Sequence, residues 1–280
     1  MRFTKMHGLG NDYVYVDCFQ QRVENPSALA ETISDRHFGV GSDGLILILP
    51  SDAADVRMRV FNSDGSEGRM CGNGVRCLAK YAFEHGLIKA NPVRVQTASG
   101  VKTVWLDVGE GQKVLAATVD MGEPVLDGAG IGVRIAAARV LDYPVATSRG
   151  CLKATCVSMG NPHAVIYPDG ADAASLETIG PELQRHELFP GGINVHLVQV
   201  SSPGDVTVRT WERGSGPTLA CGTGAAAVCV AGVLTGRTGR AITARLPGGD
   251  LGVEWRQSDG RVYITGPAVE VFSGEWPGAA

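Results

Sequence analysis

Two cysteines head near-identical glycine turns: Cys71 in "GRMCGNGVRCLAKY" (68–81) and Cys221 in "TLACGTGAAAVCV" (218–230). Each turn runs into an apolar helical pattern, so "CGNG" and "CGTG" read as helix N-termini. Free backbone N–H groups and the macrodipole at such an end favour a carboxylate or phosphate. They also favour thiolate over thiol, which predicts a lowered cysteine pKa. The glycines let the backbone approach an anion closely. From residue types alone, two such thiols could bind a metal, form a redox disulfide or act as nucleophile and partner. They could also act as base and acid on opposite faces of one carbon. That last chemistry inverts a stereocentre: a thiolate removes an α-proton and the opposite thiol delivers another. The obstacle is the weak acidity of an amino-acid α-carbon. Two helix N-termini aimed at the α-carboxylate, enclosed from water, would stabilise the charge that builds up there.

The cysteines are one pair in a longer repetition. Cys71 and Cys221 differ by 150 positions, and at the same offset "GNDYVYV" (10–16) meets "GNPHAVI" (160–166) and "RVFN" (59–62) meets "RTWE" (209–212). Gly44 falls on Asn194 and Trp105 on Trp255; beyond that the register shifts, "MGEP" (121–124) meeting "TGP" (265–267) at an offset of 144. A domain-sized unit present twice is a duplication rather than a solenoid. It predicts two similar domains in pseudo-twofold relation, with equivalent residues facing across a cleft.

The elements that must position these residues are legible in outline. "VYVD", "LILIL", "VRMRVF", "VRVQT", "VKTVWLDV" and "KVLAATVDM" are β-branched and partly alternating, separated by turn clusters such as "NSDGSEG" and "TASG". After Cys71, residues Val75, Leu78, Ala79, Ala82 and Phe83 form one helical face that stops at Gly86. The matching helix, 224–235, is apolar nearly all round, so it must be enclosed. Surface helices are expected at about 28–37 and 173–186. The fold class expected is α/β of the α+β type: two pseudo-symmetric domains, each a curled, mostly antiparallel sheet around a buried central helix.

Bulk properties narrow the function classes. With 280 residues, 44% apolar and 19% charged, the chain has an ordinary globular balance, and its net charge of −4 argues against a nucleic-acid partner. Its longest apolar runs, "LILIL" (45–49) and "AAAVCVAGVL" (225–234), are too short to span a bilayer, and no signal-peptide core opens the chain, so a cytoplasmic protein is expected. Seven cysteines with no Cys-x-x-Cys argue against a disulfide framework or a structural zinc site. Cys77 and Cys229 read as small apolar core residues. "GVGSDG" (39–44) fits G-x-G-x-x-G but is followed by the strand-like "LILIL" rather than a helix, so no dinucleotide site is expected. Asp64 and Glu67 read as turn-shaping, and His7, His37, His85, His186 and His196 as structural. His163 stands out by its place in "GNPH", opposite "GNDY".

The chain resembles the diaminopimelate epimerase family over essentially its whole length, through "KMHGLGNDYVYVD", "DRHFGVGSDGLI", "FNSDGSEGRMCGNGVRC", "GNPHAV", "INVHLV", "RTWERGSG" and "ACGTGAA". That resemblance implies a cofactor-independent epimerase interconverting LL- and meso-diaminopimelate in lysine and peptidoglycan precursor synthesis. It implies Cys71 and Cys221 as the acid/base pair and Gly72, Asn73, Gly222 and Thr223 as holders of the α-carboxylate. Asn62, Asn161, Asn194, Glu212 and Arg213 would hold the amino groups and distal carboxylate, with Asn11 and the position of Gly44 lining the pocket. His163 and Glu212 would set the protonation of the thiols. It further implies domains of 1–122 plus 268–280 and of 123–267, no metal or cofactor, and a homodimer with Phe272 at the contact. The chain departs from the family pattern at Gly44, where some members carry an amide, and at Pro217 and Trp211. A proline racemase-like enzyme of the same fold, a cysteine hydrolase using one thiol with His163, and a non-catalytic binding module are the rival readings. Arg213 and the asparagines favour a substrate polar at both ends.

Overall fold

The computed structural model describes residues 1–168 and 175–277. In chain order its first elements are β1 (Arg2–Gly8), β2 (Asn11–Asp17), α1 (Pro26–Ser34), β3 (Gly44–Leu49), β4 (Val56–Asn62), β5 (Glu67–Gly68), α2 (Gly72–Glu84), β6 (Val93–Thr97), β7 (Gly100–Val108) and β8 (Val114–Gly122). There follow α3 (Gly128–Ile131), β9 (Val140–Thr147), β10 (Gly150–Ser158), β11 (Pro162–Ile166), α4 (Leu176–Gln184), β12 (Asn194–Ser202), β13 (Asp205–Glu212) and β14 (Gly216–Thr218). The chain continues through α5 (Gly222–Leu234), β15 (Ala241–Leu246), β16 (Gly249–Trp255), β17 (Val262–Gly266) and β18 (Val269–Glu275). It divides into two compact units, Met1–Asp120 with Thr265–Ala280, and Met121–Ile264.

In the first unit β1 pairs antiparallel with β18 and β2, β2 runs parallel to β3, and β3 pairs antiparallel with β4. Strand β4 takes β5 antiparallel and β6 parallel, and β6 closes a hairpin with β7. The second unit repeats the pattern with β10, β11, β12, β13, β14, β15 and β16 in the same sequence of senses. Each unit is therefore a mostly antiparallel sheet with two parallel joints. The register repeats too: Val14 stands opposite Leu45 and Ala164 opposite Val195. It slips by one residue after the central helix, because Val56 pairs with Val95 whereas Val206 pairs with Ala244. Trp255 consequently takes the place of Leu106, and the sequence match of Trp105 to Trp255 is not a structural one.

Helices cover both faces of each sheet, which explains the continuous apolar strands. In β3 the side chains of Leu45 and Leu47 join a cluster with Leu29, Ala30 and Ile33 of α1, while Ile46 faces Gly74 of α2. Helix α2 packs against β1, β2, β3, β4, β6, β7 and β18; α5 packs against β10, β11, β12, β15 and β16. The second helix is buried continuously from Gly224 to Gly232, as an all-round apolar helix requires. Burial in α2 also takes in Arg76 and Lys80, whose charged ends find carbonyls inside the unit. Helix α1 runs from Pro26 to Ser34, earlier than expected, because the Asp35 carboxylate accepts the N–H groups of His37 and Phe38 and turns the chain away. Of the expected helix at 173–186, residues 173–174 lie outside the described residues, as do residues 278–280 of the C-terminal strand.

The central helices meet their sheets through a first-turn glycine. A Cβ on Gly74 would stand 2.6 Å from Ile46 Cδ1, the free end of a flexible side chain. A Cβ on Gly224 would stand 2.3 Å from Cε1 of His196, a ring hydrogen-bonded at both nitrogens. Gly224→Ala is therefore expected to destabilise the protein by about 1–3 kcal/mol. Gly74→Ala should stay within about 1 kcal/mol of the parent, since helix propensity offsets a small shift of Ile46. Urea unfolding of the two variants measures the difference; equal midpoints would contradict it.

Candidate active site

Cys71 is the N-cap of α2 and is half-buried. Its Sγ accepts the Gly74 N–H at 3.3 Å, and its S–H points to Asn11 Oδ1 at 3.3 Å. Asn73 Nδ2 donates to that same oxygen at 3.3 Å, while Asn11 Nδ2 donates to Asp43 Oδ2 at 2.7 Å. Asn73 is held from behind: its Oδ1 accepts from Arg76 Nη2 at 2.8 Å. Arg76 is 0% exposed, donates also to the carbonyls of Gly72 and Pro267, and meets no carboxylate among the described residues. Gly8 makes room for this layer, since a Cβ there would stand 3.0 Å from Arg76 Nη2.

Not every residue expected in this half joins the cluster. Gly44 opposes Asn62 at the open end of β3 and β4, and a Cβ on Gly44 would stand 2.0 Å from the Phe61 carbonyl oxygen. No side chain fits there, so position 44 can offer only its backbone. Asn62 is exposed and hydrogen-bonds Ser66 at 2.9 Å. Phe272 lies on β18, 47% exposed, with its ring edge-to-face on Phe3.

In the second unit Cys221 caps α5 and is buried, with Sγ 3.6 Å from Thr223 Oγ1. The Glu212 carboxylate lies beside it and accepts the Thr218 hydroxyl at 2.7 Å. Asn194 bridges two chain segments: its Oδ1 accepts the Arg213 N–H at 2.9 Å and its Nδ2 donates to the Pro162 carbonyl at 2.8 Å. The exposed Arg213 guanidinium makes one hydrogen bond, to the Gly191 carbonyl, and among the described residues meets no carboxylate. His163 bonds Asn161 Oδ1 through Nε2 and His196 Nε2 through Nδ1, each at 2.9 Å; His196 Nδ1 in turn meets Thr210 Oγ1 at 2.9 Å.

Burial reverses one expectation about the thiols. The helix ends do act on them, but desolvation of the thiolate is the larger effect and both pKa values lie above the ordinary cysteine value. At Cys71 burial is opposed by the Gly74 N–H, the Tyr13 hydroxyl, the Asn73 N–H and the charge of Arg76. At Cys221 burial is reinforced by Glu212 and opposed only by Thr223 and Gly224. Burial also keeps both histidines neutral: His196 is pushed down to about 3, and His163 lies well below its usual value, with His196 and Arg213 adding to the effect. Sequence reasoning passed over His196 and Arg76. The available signals were a polar residue on the helix-facing side of the apolar strand "NVHLV" and a basic one on the inner face of α2.

Among the described residues no group of three metal-ligating side chains converges, and no helix is long and apolar enough to cross a membrane. A family model described as diaminopimelate epimerase matches residues 3–126 and 155–271. The chain belongs to the diaminopimelate epimerase family. It is 54% identical over 275 residues to a diaminopimelate epimerase of Acetivibrio thermocellus, covering 98% of each chain. It is 50% identical to one of Methanococcus maripaludis strain C6, covering 98% of this chain and 99% of that one. The fold is shared more widely than the sequence: a probable proline racemase from Agrobacterium radiobacter K84 superposes with a TM-score of 0.69 at 16% identity, over 98% of this chain and 92% of that one. In this diaminopimelate epimerase family member, then, each cysteine motif is the capped end of a central helix.

The neutral histidines set a pH dependence. An unfolded chain protonates His196 near pH 6.5, whereas the folded chain resists until about pH 3. Its contribution is thus complete above pH about 6.5 and is lost as pH falls towards 3, at about 1.4 kcal/mol per pH unit. Urea titrations of the parent and of His196→Gln between pH 7 and pH 4 should show a shallower decline in the variant; parallel curves would contradict a neutral buried ring.

Proposed function

We propose that the protein is an amino-acid epimerase, an isomerase that interconverts LL-2,6-diaminopimelate and meso-2,6-diaminopimelate without a cofactor. It would supply lysine and peptidoglycan precursor synthesis in the cytoplasm. The observation that carries this reading is the pair of cysteine-capped central helices, one per unit, in a chain of this family. Each unit is read as one epimerase domain, divided near 122/123 and 267/268.

The chemistry follows from the residues. Among the described residues the amides of Gly72, Gly222 and Thr223 meet no acceptor, which suits them, with Asn73, to the α-carboxylate. Cys71, whose sulfur has three donors and a cation nearby where Cys221 has a carboxylate, is read as the base. It takes the α-proton; the C–H electron pair stays on the α-carbon and spreads into the carboxylate. Cys221, kept as a thiol by burial and by Glu212, returns a proton to the opposite face. The stereocentre is inverted and the two sulfurs have exchanged states, so the reverse reaction uses them in the opposite roles. Arg213, which meets no carboxylate among the described residues, clamps the distal carboxylate; Asn62, Asn161, Asn194 and Glu212 share that carboxylate and hold the amino groups, and Asn11 and the Gly44 backbone line the pocket. The family resemblance pairs His163 with Glu212 in setting thiol protonation, although both its ring nitrogens are bonded here to Asn161 and His196. The exposed row Val269, Val271 and Phe272 on β18 supports a homodimer.

The test of the reaction is LL-diaminopimelate in heavy water: deuterium should enter one α-carbon as the meso isomer appears. Cys71→Ala and Cys221→Ala should each lower turnover by more than about a thousandfold while the fold survives. Near-normal turnover in either would end the two-base reading. Arg213→Lys, which turns a fork into a point charge, should lower kcat/KM roughly a hundredfold; an unchanged value would show that Arg213 holds no carboxylate. Light scattering of Phe272→Asp should give a monomer, and an unaltered mass would remove Phe272 from the contact.

A further inference from the structure

A polar chain lies inside the second unit through positions that isoleucine and valine fill in the first. We infer that His196 and Thr210 are positioning residues: with His163 they form a buried hydrogen-bond chain that fixes which way round the Asn161 side-chain amide is presented, aiming its N–H2 at a substrate carboxylate. The inference rests on the proposed role of Asn161 in holding diaminopimelate.

The geometry defines a direction. The links Asn161–His163, His163–His196 and His196–Thr210 are each 2.9 Å, and both rings are 0% exposed. A neutral imidazole has one N–H and one bare nitrogen, so the chain can run only one way at a time. With Asn161 Oδ1 at its end, His163 must carry its proton on Nε2. Its bare Nδ1 must then accept from His196 Nε2–H, and the bare Nδ1 of His196 must accept from the Thr210 hydroxyl. Asn161 Nδ2 is left with two donors and no acceptor among the described residues. A carboxylate oxygen is the acceptor such a group suits.

The duplication supplies an independent argument. At an offset of 150 positions, Asn161, His163, His196, Thr210 and Gly224 correspond to Asn11, Tyr13, Ile46, Val60 and Gly74. The register agrees, since Val195 opposes Trp211 as Leu45 opposes Phe61. Ile46 meets Gly74 in the first unit as His196 meets Gly224 in the second. The same backbone is thus filled by isoleucine and valine in one copy and by histidine and threonine in the other. Apolar side chains satisfy the fold at these positions, and burying polar ones carries a desolvation cost that only completed hydrogen bonds offset. What the polar pair adds is control of the amide at its end. In the first unit Asn11 needs no such chain, because Asp43, Asn73 and Cys71 already bind both ends of its amide.

The test uses Thr210, which touches no proposed substrate group. Thr210→Val keeps the shape and removes the hydroxyl that terminates the chain; Thr210→Ser keeps the hydroxyl. KM for LL-diaminopimelate should rise roughly tenfold in the valine variant, with kcat within about threefold of the parent, and return to the parent value in the serine variant. A role confined to packing would lower the melting temperature of Thr210→Val and leave KM alone, and that result would overturn the inference. Nitrogen-15 NMR of the free parent enzyme reads the tautomers directly: both His163 and His196 should be protonated on Nε2. Either ring protonated on Nδ1 would overturn the chain direction whether or not diaminopimelate is the substrate. Failure of the parent enzyme to turn over diaminopimelate would instead strike the proposed function.

Discussion

A helix that begins inside a protein brings buried N–H groups that its own turns cannot satisfy. Both central helices begin in this way, and much of each unit is arranged around that fact. The capping residue is a cysteine in each case, and first-turn glycines let the strand behind approach the helix closely. Sheets enclosing these helices are mostly apolar on the inner side, and α1 and α4 cover the outer side of β3 and β12. That is why β3 does not alternate in polarity; β12 departs from this at His196, which faces the central helix.

The same burial creates an electrostatic conflict at each sulfur. Helix amides favour the thiolate; removal from water disfavours it, and removal wins in both units. The units differ in what accompanies the sulfur. Cys71 has Arg76 nearby, a buried cation whose hydrogen bonds go to neutral oxygens. Cys221 has the Glu212 carboxylate. One environment leans towards the anion and the other towards the neutral thiol. The proposed base and acid, being of one residue type, would draw on this difference.

Duplication therefore preserved the backbone, and the register up to the one-residue slip after the central helix, while the polar interior diverged. Asn11 is held by a route through Asn73 and Arg76, and Asn161 by a route through His163, His196 and Thr210. Arg76 corresponds to Ala226, and His196 to Ile46, so neither support exists in the other copy. Strand pairing is a main-chain property and tolerates such exchange; side-chain networks depend on every member.

The sequence by itself determined the duplication, the two cysteine turns, the central helices and most strands, because each is written in local periodicity or in direct repetition. It also carried the family resemblance, in motifs several residues long. The first strand, the one-residue slip before β15 and the early end of α1 depended on partners distant in the chain or on a single Asp35 side chain. The net direction of the thiol pKa values was likewise a tertiary outcome: local sequence shows the helix end, whereas the desolvation that outweighs it comes from strands far away in the chain. Only the folded structure disclosed that His196 and Arg76 are buried supports of Asn161 and Asn73. A lone polar residue in an apolar strand or helix looks the same in sequence whether it faces water or an asparagine, and packing alone decides which.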